Sequence, residues 1–166
     1  LFDNIDLFAS DVTELPGSNI AVHHFETTTE VPIRQKQFRL PPHLEDEMDR
    51  QVDQLLKAKV ITLSTSMWNH PVFLIRKANK IGEPIKYRFL CDLRKLNSIL
   101  VPQYYPLPTM EDCVEIAGRT KPTIFSVLDQ TSGYYSIPLD ERCAHKTAFT
   151  VKHRHLNWLR LPMGMS

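Results

Sequence analysis

At 166 residues the chain is long enough for one domain with its own core, or for part of a larger one. Its 42% hydrophobic and 23% charged content is that of an ordinary soluble globular protein, and the absence of an eighteen-residue apolar run argues against a transmembrane helix. The net charge of +1 conceals an asymmetry: residues 1–30 hold six acidic residues and no Lys or Arg, leaving 20 basic against 13 acidic residues, or +7, over residues 31–166. Such a balance suits an anionic partner for the later part of the chain. The start carries no basic stretch followed by an apolar one, so no signal peptide is expected. Cys91, Cys113 and Cys143 are odd in number and form no CxxC, which predicts reduced thiols and an intracellular, cytoplasmic or nuclear protein.

Residues 1–30 follow neither a helical nor a strand period and read as an acidic lead-in or linker. VPIRQKQFRLPP reads as extended, because each proline disfavours the helical region for the residue before it. From Leu44 the apolar positions Met48, Val52, Leu55, Leu56 and Val60 share one helical face. Acidic residues 45–47 in the first turn and Lys57 and Lys59 in the last match the helix dipole, predicting a helix over 43–59. STSMWNHP is turn chemistry. VFLIR (72–76) and KYRFLCD (86–92) then read as the strands of a basic hairpin over 72–92, with Tyr87 and Phe89 on one face and Lys86 and Arg88 on the other.

VPQYYPLP is a proline-punctuated connector, and TMEDCVEIAG predicts a helix over 109–118, with Thr109 as N-cap and Gly118 as its stop. TIFSVLD, YSIPL, TAFTV and HLNWLRL are strand-sized runs separated by turns. A helix, a hairpin, a second helix and several strands without regular βαβ alternation predict an α+β fold. Three regions follow: the lead-in over 1–30, a region over 31–122 built on the two helices and the hairpin, and a strand-rich region over 123–166.

Standard phosphate-cradling loops, GxxxxGK[ST] and GxGxxG, are absent, and so is a GxSxG nucleophile elbow. What remains is the basic hairpin, with Arg76, Lys77, Lys80, Lys86, Arg88, Arg94 and Lys95 against Glu83 and Asp92, and one carboxylate, Asp129. Converging cations suit a triphosphate or a nucleic-acid backbone, although a solvated strand face would look the same. Strand parity puts Asp129 in line with Phe125 and Val127. A carboxylate on an apolar face is costly unless it is salt-bridged or binds a cation.

Taken together, several ordered motifs resemble a reverse transcriptase, specifically the fingers and partial palm of the Ty3/gypsy-like LTR retrotransposon enzymes. YRFLCDLRKLNSILVPQYYPLP resembles the W/Y-R-x-x-x-D-x-R-x-L-N block with its Y-P-L-P, and FSVLDQTSGYYSIPL the first palm motif, F-S-x-L-D-x-x-S-G-Y-x-x-I-x-L. KTAFT and LPMGMS follow in the family's order, and IRQKQFRLPP through VITLSTSMWNHPVFLIRK resembles the opening of its fingers, so that 31–122 would be fingers-like and 123–166 a partial palm.

The resemblance implies that Asp129 binds catalytic Mg²⁺ with the backbone carbonyl of Gln130 assisting, and that Lys77 and Arg88 hold the triphosphate of an incoming dNTP. Tyr134 would be a steric gate beneath the sugar, and Asp92, Arg94 and Asn97 would shape the fingers and their template contact. Met163 stands where the family commonly has Phe or Gln beside the nucleotide. The family's Y/F-x-D-D carboxylates are not encoded, since Asp140 and Glu141 are the only acidic residues after Asp129. The expectation is a polymerase fragment or remnant that is inactive alone and holds no stable Mg²⁺. Its partners would be RNA/DNA template-primer and dNTP in the parent enzyme, and a protein partner or a second copy at an exposed palm edge, with no membrane. The alternatives are a host-retained protein-interaction module or a nucleic-acid-binding remnant without chemistry.

Overall fold

A computed structural model of the chain describes residues 9, 11–15, 17–78, 82, 84–119, 121–127, 129–130 and 132–165. The first long element is helix α1, Pro42–Lys57. Pro41 is extended, as a residue before proline must be, and Pro42 occupies the first helical position, where its missing N–H costs nothing. Met48, Val52 and Leu55 form the buried stripe. The helix stops two residues short of the predicted end because Lys59 turns left-handed, with φ of 53°. There Lys59 N–H donates to Leu56 O at 3.0 Å and Val60 N–H to Leu55 O at 2.9 Å, the paired bonds of a Schellman ending.

Strand β1 (Ile61–Leu63) follows, then the hairpin of β2 (Val72–Arg76) and β3 (Tyr87–Cys91). The hairpin is antiparallel, with Val72 opposite Cys91 and Arg76 opposite Tyr87. A four-residue helix α2 (Arg94–Asn97), helix α3 (Met110–Arg119) and a second four-residue helix α4 (Glu141–Ala144) lead to β4 (Phe149–Val151) and β5 (Arg154–Trp158). β5 is the centre of a three-stranded antiparallel sheet, β1-β5-β4, in which Leu156 faces both Leu63 and Phe149. The sheet joins the hairpin through His70, whose N–H donates to Ala148 O at 2.8 Å.

The core lies where α1, the hairpin and the sheet meet. Phe149 and Trp158 are 5.7 Å apart between ring centroids, Phe89 is 5.6 Å and 6.0 Å from them, and Tyr135 stacks on Trp158 at 5.6 Å. On the outer face of α1, Asp49 and Asp53 pair with Arg154 at 2.9 and 2.5 Å, and Asp49 also pairs with Lys152, so the β4-β5 turn is held against the helix.

Three segments differ from the sequence expectation. The acidic lead-in, from Asp11 onward, is stitched to the domain and does not hang from it as a linker would. His23 N–H donates to Pro138 O at 2.8 Å, Asp140 N–H donates to His23 O at 2.9 Å, and Thr28 N–H donates to Ile99 O at 2.8 Å. Phe25 is buried, and Lys146 Nζ, itself buried, reaches Glu30 Oε1 at 2.6 Å and Thr27 Oγ1 at 2.8 Å. These are backbone and single-residue attachments, which leave no hydrophobic period to read.

The second difference is residues 123–129, expected as a strand, whose described residues are irregular and exposed. Helix α3 just before them has its predicted cap, with Asp112 N–H to Thr109 Oγ1 at 3.1 Å and Thr109 N–H to Asp112 Oδ2 at 2.9 Å, yet none of its residues is buried. YSIPL is likewise not a strand: Gly133–Ser136 is a turn of 3-10 helix, followed by single bridges at Pro138 and Leu139. Among the described residues no helix is long and apolar enough to cross a membrane.

Candidate functional site

The hairpin delivers the basic side chains. Its alternation drives Phe89 and Cys91 into the core and leaves Arg88, just before them on the other face, exposed, while Lys77 N–H donates to Lys86 O at 2.8 Å and carries the ladder one residue beyond β2. Lys80 and Glu83 of this predicted basic stretch lie outside the described residues. Lys77 and Arg88 open onto a cleft of about 350 Å³ whose other walls include Gln51 of α1, Tyr135 and Met163. Arg88, Met163 and Ser132 also line an adjoining depression of about 480 Å³, with Gln130, Gly133 and Tyr134. Five residues named from the sequence, Lys77, Arg88, Gln130, Tyr134 and Met163, thus gather around two cavities with a shared wall.

The turn that carries Tyr134 explains how two adjacent tyrosines part company. Ser132 is left-handed (φ 49°, ψ 41°) and starts the 3-10 turn, in which neighbouring side chains point about 120° apart. Tyr134 is 49% exposed and faces the depression, whereas Tyr135 is 6% exposed and burial raises its pKa. Gly133 packs closely on Gln130: a Cβ there would stand 2.8 Å from Gln130 Oε1, so the Gln130 side chain would have to shift.

Asp92 and Arg94 form a local clamp. Asp92 is buried, and Arg94 reaches it through Nε at 2.8 Å and Nη2 at 2.7 Å, while Arg94 N–H caps the same carboxylate at 3.2 Å. The Arg94 guanidinium holds the Asp92 pKa below its ordinary range. At the far end of α2, Asn97 Nδ2 donates to Gly164 O at 2.8 Å, tying the motif around Asp92 to the LPMGM turn, where Gly164 has a φ of 89°. Behind the clamp, fully buried His70 donates from Nε2 to Lys146 O at 3.0 Å. That carbonyl makes it the donor, and burial lowers its pKa.

The family described as reverse transcriptase (RNA-dependent DNA polymerase) matches residues 75–166, more than half of the chain. The chain belongs to the reverse transcriptase family. Relatives from Drosophila melanogaster include the retrovirus-related Pol polyproteins of transposon 297, 34% identical over 92% of this chain, and of transposon opus, 34% identical over 93%. That of transposon gypsy is 31% identical over 95%. The chain spans 14%, 16% and 15% of those three polyproteins. The solved protease-reverse transcriptase of prototype foamy virus has the same fold over 99% of this chain and 21% of its own, with a TM-score of 0.79 and 24% identity.

A reverse transcriptase implies divalent metal, so the donor set of Asp129 matters. The strand parity that aligned Asp129 with core residues does not hold: Phe125 and Val127 are 70% and 89% exposed, and Asp129 is exposed and lines neither cavity. The physical reason is the sheet: its order is β1-β5-β4, and the described residues of 123–129 belong to none of these strands. Among the described residues no three His, Cys, Asp or Glu side chains gather as a metal site. Asp140, one of the two later carboxylates, is committed elsewhere. Arg142 holds it through Nε at 3.0 Å and through Nη2, His24 Nδ1 lies at 3.3 Å, and its pKa is driven far down. One exposed carboxylate does not make a cage for a pair of Mg²⁺ ions, and no step through metal follows from these residues.

Sequence reasoning did not single out Gln51 or Ser132. Gln51 Nε2 donates to Tyr87 O at 3.1 Å and so ties α1 to the strand bearing Arg88. A glutamine on a polar helix face carries no sequence signal for this, whereas the Ser-Gly pair before Tyr134 does signal a tight turn.

Proposed function

We propose that these 166 residues are the nucleotide-facing fingers and opening palm of a retroelement RNA-directed DNA polymerase, with Lys77 and Arg88 receiving the triphosphate of a dNTP. The carrying observation is the convergence of Lys77, Arg88, Gln130, Tyr134 and Met163 on two adjoining cavities. Two cations over one anionic chain are what a triphosphate needs, and an aromatic ring at the rim suits a sugar. Met163 supplies apolar contact there and no hydrogen bond. Asp92 and Arg94, braced by the Asn97 link, support a template strand passing over α2, and Asp129 with Gln130 would be the opening ligands of the metal site. Template-primer as partner is supported by the solved foamy viral protease-reverse transcriptase, which has been captured with an RNA/DNA hybrid and with double-stranded DNA.

The same reading holds the isolated chain inactive, because Asp129 alone cannot position two divalent ions. Fluorescent dNTP titration tests the cleft: Arg88→Ala should weaken binding at least tenfold, and unchanged affinity would remove the assignment. Primer extension with Mg²⁺ or Mn²⁺ tests the rest, since incorporation by the chain alone contradicts it.

A second reading is favoured by the apolar exposure of Tyr104, Tyr105, Leu107, Ile124, Phe125 and Val127. This stretch would act as a protein-contact surface. Sedimentation as a monodisperse monomer at high concentration would count against it.

A further inference from the structure

Helix α1 brings two amide side chains to the cleft of Lys77 and Arg88, and the two are not equivalent. Gln51 and Gln54 stand three residues apart on one helical face, both half-buried, and both line the cavity. The Gln51 amide is committed: its Nε2 donates to Glu47 Oε1 at 2.6 Å and to Tyr87 O at 3.1 Å. Glu47 in turn is gripped by Arg50, through Nε at 2.7 Å and Nη2 at 2.6 Å, so its charge is met within the helix. This brace fixes the α1 face against β3 one residue before Arg88. The Gln54 side chain, by contrast, makes no hydrogen bond to any described residue.

The rest of the lining suits an anion. Among the described residues no acidic side chain lines the cavity, and its two cations both come from the hairpin. Burial raises the pKa of Tyr135, another wall, and the charge of Arg88 opposes that rise, so the Arg88 charge is felt inside the cavity. Because no bond fixes the Gln54 amide, either its NH₂ or its oxygen can turn inward, and an anion selects the NH₂.

We propose that Gln54 is a terminal-phosphate ligand, donating from Nε2 to the phosphate group that Lys77 and Arg88 leave uncovered, and that it makes the cleft selective for a triphosphate over a diphosphate. The inference rests on the nucleotide-binding reading and adds length selectivity to it. Two cations on the hairpin side cover two neighbouring phosphate groups, and the third extends toward α1. A hydrogen bond to a charged oxygen is worth about tenfold in affinity. A diphosphate held by the same cations stops short of α1 and gains nothing from Gln54.

The test is calorimetric titration of inorganic tripolyphosphate and of pyrophosphate into the full 166-residue chain and its variants. In Gln54→Leu the preference for tripolyphosphate should fall about tenfold, while pyrophosphate binds within about twofold of wild type. Leucine forms helix as well as glutamine does, so thermal unfolding should not move. A loosened fold would weaken both anions together and leave the preference as it was, which overturns the assignment. Gln54→Lys keeps a donor on a side chain of similar reach and should retain the preference; its loss there also overturns the assignment. Arg88→Ala should weaken both anions. If it does so while Gln54→Leu leaves the preference unchanged, Gln54 alone is overturned. Binding of both anions that survives Arg88→Ala undiminished overturns the nucleotide-binding reading and Gln54 with it.

Discussion

Two stretches of this chain have similar amphipathic patterning and opposite fates. Helix α1 buries Met48, Val52 and Leu55 against the hairpin and sheet, whereas α3 carries Met110, Val114 and Ile116 entirely in the open. Both helices are well started, α1 by a proline at its first position and α3 by the reciprocal Thr109–Asp112 cap. The comparison teaches that local sequence suffices to begin a helix but not to stabilise it, since a ten-residue helix that buries no residue is marginal in water. The contrast extends to the motifs: the block around Asp92 is anchored at both ends of α2, while the described residues around Asp129 are exposed and lie outside every strand.

The sharpest way to break this comparison is to truncate one side chain in each region. Phe149→Ala, deep among Phe89 and Trp158, should cost about 3–5 kcal/mol by urea unfolding, while Ile116→Ala should cost less than about 0.5 kcal/mol. Similar losses at both sites would mean that α3 is packed in solution. Next in size is Lys146→Ala, which leaves Thr27 and Glu30 without their buried partner. About 1–3 kcal/mol should be lost, with faster proteolysis of the 20–30 strap as a second readout.

A third effect is set by pH. Burial depresses the pKa of His70, and of His23, so the folded chain takes protons there at lower pH than the unfolded chain, which takes them below about 6.5. The sign follows: stability is full above that pH and declines as pH falls, by at most about 1.4 kcal/mol per pH unit for each histidine. Replacing His70 by Gln should flatten the slope between pH 6.5 and 5 in thermal unfolding, and an unaltered slope would sink this account. Below about pH 4 the ion-paired Asp49, Asp92 and Asp140, all held low by their basic partners, add a second loss as they protonate. The smallest effect concerns the end of α1: Lys59→Gly removes the left-handed strain of a side chain and should be worth about 0.5 kcal/mol in favour of folding, net of glycine's own entropy.

Much of the fold was legible because its periodic signals are strong. The α1 stripe, the alternation of Tyr87 through Cys91 and the Thr109 cap are each written over a few neighbouring residues. The gathering of Lys77, Arg88, Gln130, Tyr134 and Met163 was also legible, though through ordered motif resemblance and not through any period. Illegible were the stitching of residues 17–30, made of backbone hydrogen bonds that any sequence can donate, and the role of Gln51, a polar residue whose partner is a carbonyl 36 positions away. The strand expected at 123–129 misled because alternation measures what a stretch could bury, not whether a partner stands beside it.

By itself, then, the sequence determined the family, the helix and hairpin that carry the cations, and the lone carboxylate of the palm motif, since these depend on local spacing and residue chemistry. Only the tertiary structure decided that Tyr134 faces the depression and Tyr135 the core, that Asp140 is consumed by Arg142 and His24, and that Lys146 anchors Thr27 and Glu30. Each of those outcomes is a long-range contact, and such contacts depend on how already-formed elements pack, which no local pattern records.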